Sequence, residues 1–185
     1  MSDSKWLNFR HESEELQVLE EWHRQLIGKG QRGQRAELRR ARGPHEVVFL
    51  PEFHRLLRRF ETAGFRTGGV VGLKLAAIAG LSAHVDRVET KRSLASQMAR
   101  TEKMARTEKP AVSEARFRRL LETSTEGDGL DALYNQLRRV TQLLRRHVAL
   151  GDLARSVMAW GGPRDPRRQW AYDYYRDLPN KESTT

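Results

Sequence analysis

The sequence contains no cysteine, which removes disulfides, cysteine-ligated zinc, iron–sulfur clusters and thiol catalysis together. It also has no long apolar run. The most hydrophobic stretch, Val70 to Val85, is interrupted by Lys74 and His84 and falls short of the roughly twenty residues that a bilayer-spanning helix requires. No apolar segment follows a basic start at the N-terminus, so neither a secretory signal nor a transit peptide is expected. A cytoplasmic protein without membrane contact fits best. The histidines at 11, 23, 45, 54, 84 and 147 never stand three or four apart, and HExxH is absent, so no metal site is expected. Adjacent acids at Glu14-Glu15 and Glu20-Glu21 diverge by about 100° on a helix and cannot converge on one proton. GxSxG is missing, as is a supported SxxK. The chain is therefore read as non-enzymatic and without a cofactor.

Period-two alternation is absent as well, and VVFL at 47–50 is too short to found a sheet. What is present is helical periodicity. Leu16, Leu19, Trp22 and Leu26 recur at three- to four-residue steps, and Phe53, Leu56, Leu57 and Phe60 follow Pro51 in the same way. The apolar run 70–85 reads as a buried central helix, with Thr67 as its cap. Helices are expected again over 113–122, 130–148, from Asp152 as cap to Trp160, and from Asp165-Pro166 to Leu178. Between Val88 and Lys109 the composition turns polar and holds a tandem hexapeptide, MARTEK at 98–103 and 104–109. The fold class is all-α: two small helical bundles, 1–90 and 111–185, joined by a polar linker over 91–110. Phe53, Phe60, Phe117 and Trp160 lie on apolar stripes and belong to the core; Trp6, Phe9 and Tyr175 are freer. Gly28, Gly30 and Gly33 spell GxGxxG, but a helix precedes them, not a strand, so no dinucleotide fold is implied.

Charge is the informative excess. The net charge is +10, and it is clustered. Lys29, Arg32, Arg35, Arg39, Arg40 and Arg42 face one acid, Glu37, while Arg138, Arg139, Arg145 and Arg146 stand in a segment, 135–147, with no acid. Arg35, Arg39 and Arg42 share one face of a short helix, where their repulsion calls for an anion. Basic clusters are commonly just solvated faces, but two that hold most of the surplus point to phosphate binding with strong salt dependence. Arginine outnumbers lysine, which favours bidentate phosphate contacts. No signature of an RNA-recognition, KH or zinc-finger module appears, so base-specific reading is not expected. The competing reading is a basic helical adaptor that docks acidic proteins or binds RNA non-specifically.

Several segments in order carry a family likeness: GQRAELRRA (33–41), LPEFHRLL (50–57), GLSAHV closing the apolar helix, SLASQMA (93–99), SEARFRRLL (113–121), NQLRRVTQLL (135–144), DLARSVMAWG (152–161) and the tail LPNKES. Together they resemble the small subunit, CasB, of the type I-E CRISPR surveillance complex Cascade. The resemblance implies a non-catalytic, all-helical protein present as a head-to-tail homodimer beside the backbone and large subunits. It also implies a basic surface toward displaced single-stranded DNA and the guide RNA–DNA heteroduplex region, in antiviral defence. By position, Arg39 and Arg40 match the basic pair of the first motif, Arg138 and Arg139 the pair of the LRR helix, and Arg155 the arginine of the LARxxxxWG helix. Arg116 stands where the family often has a basic residue, and Trp160 matches a structural tryptophan. Arg35, Arg42, Arg66, Lys74, Arg119 and Arg146 join the nucleic-acid-binding set from charge alone. The duplicated MARTEK departs from the usual pattern.

Overall fold

A computed structural model describes residues 5–100, 109–124 and 126–179. Among these the chain is all-α, with helices α1 (Glu14–Leu26), α2 (Arg32–Arg40), α3 (Pro44–Val47), α4 (Pro51–Thr62) and α5 (Gly69–Ser82) in the first half. The remainder holds α6 (Leu94–Ala99), α7 (Glu114–Leu121), α8 (Gly129–Leu143), α9 (Leu150–Ala159) and α10 (Arg167–Asp177). Ser13 caps α1 by accepting from the Leu16 amide, and Glu14 and Glu15 occupy its first turn, where the helix dipole favours negative charge. Its apolar stripe buries Leu19, Trp22 and Leu26, and the Trp22 indole donates to Glu52 on α4 at 2.8 Å.

Helix α5 is apolar around its whole circumference because it is buried from Leu75 onward and meets α3, α4, α8 and α9. Gly80 permits the approach of α8: a β-carbon there would stand 2.7 Å from the Tyr134 hydroxyl. Apolar side chains from both halves, among them Phe53, Ile78, Leu137 and Trp160, form one cluster through α5. Beyond α5 the chain makes the single ladder found among the described residues. Strand β1 (Arg87–Val88) runs parallel to β2 (His147–Val148), with Arg87 opposite His147. Two residues per strand leave the helical class unchanged.

Three local expectations are corrected. The polar segment 91–110 contains α6, which Ser93 caps through the Ser96 amide; Leu94, Ala95, Met98 and Ala99 are buried, and the helix packs on α10. Charge on either side of SLASQMA masked a short apolar face. Phe9 is also buried, not free: it sits at φ +49° with its ring edge-on to Phe60 at 5.9 Å and its amide donating to Glu15 at 3.0 Å. The caps differ too, since Gly68 and not Thr67 precedes α5, and α9 starts two residues before Asp152. Asp152 instead accepts from the Leu94 amide at 2.7 Å and anchors the start of α6. Past α6, the Ala111 amide donates to Arg100 O at 2.9 Å and the Val112 amide to Met98 O at 3.0 Å. Residues 101–108, most of the tandem repeat, lie outside the described residues.

Candidate nucleic-acid interface

The two basic segments, far apart in sequence, converge on Asp86. Its Oδ1 accepts from Arg35 at 2.5 Å and Arg39 at 2.9 Å, both on α2, while Arg146, in the turn leaving α8, lies 3.7 Å from Oδ2. Arg35 and Arg39 also donate to Ala83 O, at 2.9 and 2.7 Å, and Arg35 to Val85 O at 2.8 Å. Arg146 is placed by a turn in which Arg145 and Arg146 adopt φ of +51° and +61°. That left-handed pair costs on the order of 1–2 kcal/mol per residue. Bonds from the Arg146 amide to Thr141 O, and from the Asp86 and Arg87 amides to Arg146 O, offset it. The anion that α2 calls for is thus supplied first by the chain itself. Arg42 leaves this group and pairs with Glu46 at 2.8 Å.

One carboxylate against three guanidiniums leaves the cluster positive. Burial acts on Asp86 most strongly and pushes it up, but the Arg35 hydrogen bond with the charges of Arg35, Arg39 and Arg146 outweighs it and leaves the carboxyl below its ordinary value. His84 lies buried beside them, its Nε2 without a hydrogen-bond partner. Desolvation, then repulsion from Arg138, Arg39, Arg146 and Arg35, lowers it to about 4, so it is neutral at physiological pH. Arg138 therefore shares this field.

A second basic surface lies between α7 and α8. Arg116, Arg119 and Arg139 line an open cleft of about 550 Å³ whose described lining contains no acid. None of the three has an ion-pair partner among the described residues, whereas Arg118 on the same helix is paired with Glu114. They are exposed, as the helix period requires: Phe117 and Leu120 turn inward, and Phe117 stacks on Tyr174 at 3.8 Å.

The other candidates are dispersed. Arg40 is exposed at the end of α2. The Arg66 guanidinium stacks 4.7 Å over the exposed ring of Trp6. Arg155 pairs with Asp152. Lys74 donates to Met158 O at 2.8 Å and Trp160 O at 3.0 Å, closing the C-terminal end of α9, and desolvation holds its ammonium below the usual range. Trp160 is buried and donates to Thr123 O at 2.9 Å. Sequence reasoning missed Asp86 and His84. HVD at the end of the apolar helix carried a weak signal, but nothing local pairs Asp86 with α2.

An all-helical chain with two guanidinium-rich surfaces and, among the described residues, no metal-ligating cluster and no helix long and apolar enough to cross a membrane defines a class: a basic helical protein. Its sequence matches the family described as CRISPR-associated protein Cse2 over residues 34–175, and the chain belongs to that family, the CasB small-subunit family of type I-E Cascade. The matched span includes every candidate cation from Arg35 to Arg155 and excludes Trp6 and α1. Among solved structures the chain is similar to one in the crystal structure of E. coli Cascade bound to a PAM-containing dsDNA target. The TM-score is 0.60 at 20% identity, over 90% of this chain and 97% of that one. No curated protein matches.

Proposed function

We propose that this chain is a non-catalytic subunit of type I-E Cascade that stabilises the R-loop through phosphate contacts to the displaced non-target strand. The convergence of α2 and the end of α8 around Asp86, together with arginines on α7 and α8 that have no ion pair among the described residues, carries the reading. Likeness to a chain of DNA-bound Cascade supports it. Arg40, Arg116, Arg119, Arg138 and Arg139 meet the strand most directly. Arg35, Arg39 and Arg146 supply a positive field already ordered by the protein. In the complex the chain lies beside the backbone and large subunits as a head-to-tail pair, near the guide RNA–DNA heteroduplex. R-loop formation exchanges duplexes of nearly equal stability, so contacts on the order of 1 kcal/mol each decide whether the open state persists.

The test is R-loop lifetime on a matched duplex with guide-loaded complex assembled with and without the chain. Combined Arg40→Gln, Arg116→Gln and Arg139→Gln substitutions are expected to shorten the lifetime by about 100-fold, three contacts of ~1 kcal/mol each at tenfold per 1.4 kcal/mol, while the protein still assembles. Arg39 is left intact because its bonds to Asp86 and Ala83 hold the fold. A triple variant that assembles and keeps the wild-type lifetime refutes the reading.

A further inference from the structure

Two clefts other than that between α7 and α8 hold acids as well as cations. The cleft between the N-terminal segment and α9–α10, about 630 Å³, brings Asp152, Asp165 and Asp173 beside Arg10, Arg155 and Arg164. The cleft between the N-terminal segment and the β1–α6 connection has Glu12, Glu20, Glu89 and Asp152 beside Lys91, Arg92 and Arg155. The α7–α8 cleft differs in having three arginines and no acid. Its lining also includes Leu143, which is 37% exposed, with Leu120 and Val140 buried behind the surface. Phosphate alone gains nothing from apolar surface. A ligand that is anionic at one end and flat and weakly polar at the other gains from both, and its size fits a site within the roughly 300–1,000 Å³ range of small-ligand pockets.

We propose that this cleft holds one unstacked nucleotide of a single strand, with the base against the exposed Leu143 side chain and the flanking phosphates on Arg116, Arg119 and Arg139. The inference rests on the nucleic-acid reading above and adds a base-binding pocket to it. Guanidinium planes and apolar side chains are both surfaces on which unstacked bases lie. Gln136 spends its amide N–H groups on Thr123 Oγ1 at 2.7 Å and Arg119 O at 3.4 Å, which leaves its carbonyl oxygen to accept from a base N–H. Leu143 is 37% exposed, apolar surface placed where a base covers it. The pocket tolerates any base, since every base has a flat face.

The experiment compares full-length protein binding to an oligo(dT) and to an abasic tetrahydrofuran oligonucleotide with the same number of phosphates, across a salt series. Wild type is expected to bind the oligo(dT) about five- to tenfold more tightly with the same salt slope. Leu143→Ser brings that ratio close to one, and Arg139→Gln weakens both oligonucleotides and lowers both slopes. Thermal melting verifies that each variant is folded. Equal wild-type affinity for the two oligonucleotides, or a preference unchanged in folded Leu143→Ser, overturns the base pocket and leaves phosphate binding standing. Failure to bind either oligonucleotide at low salt overturns both.

Discussion

Replacing Asp86 by Asn removes the carboxylate that joins α2 to the end of α8 while keeping the side-chain shape. The stability cost is modest: the carboxylate is 43% exposed, solvent screens its pairs, and Arg35 and Arg39 keep their bonds to Ala83 and Val85 carbonyls. A loss of about 1 kcal/mol follows, or a Tm lower by roughly 2–4 °C for a chain of this length. Because the carboxyl is depressed in the folded state, its contribution is complete above the unfolded pKa and is lost as pH falls through the still lower folded value. Binding moves the other way. Asp86→Asn releases guanidinium charge to an external phosphate, so affinity for single-stranded DNA is expected to rise about three- to tenfold at low salt. The slope of log affinity against log salt steepens by about 0.7 for each phosphate newly neutralised. Fluorescence anisotropy over a salt series reads both quantities. Weaker binding with a shallower slope refutes the idea that Asp86 competes with phosphate and makes it an organiser of the arginines; an unchanged Tm refutes the ion-pair geometry.

The pH profile of stability carries a second expectation. His84 sits at about 4 when folded against an ordinary 6.5, so between these values the unfolded chain binds more protons and stability falls on acidification by up to about 3 kcal/mol. Buried His23, also lowered, adds with the same sign. Denaturant titrations are expected to show a flatter profile in His84→Gln, and an unaltered profile contradicts the assignment. Lys74→Met separates a structural cation from a binding one: leaving the Met158 and Trp160 carbonyls without their donor is expected to cost about 1–3 kcal/mol with no change in salt slope. A shallower slope returns Lys74 to the nucleic-acid surface.

Periodicity and punctuation made the helical class legible, because Leu19, Trp22 and Leu26 or Phe53, Leu56 and Phe60 fall on stripes that the fold buries. Helix α6 escaped because its apolar face spans under two turns within charged neighbours. Phe9 escaped because a left-handed backbone, not a helix, delivers it to Phe60. The clustering of cations was legible from α2 and α8. The partner that orders them was not, since Asp86 meets Arg35 only after α5 has crossed the core. Arg116, Arg119 and Arg139 were individually visible, but their gathering around one cleft depends on how α7 lies on α8.

The paired bonds between Met98 and Val112 and between Arg100 and Ala111 bear on how this sequence can drift. They bring residues 111 and 112 back to the end of α6. A repeated hexapeptide is a natural substrate for replication slippage, and here gain or loss of a copy leaves the spacing of the arginines on α2, α7 and α8 untouched. The second copy also offers no alternative register: Met98 is preceded by Leu94 and Ala95, whereas the corresponding positions before Met104 are Arg100 and Thr101, which do not suit the buried seat against α10. Met98 is seated in the core, and Leu94 and Ala95 before it specify that seat.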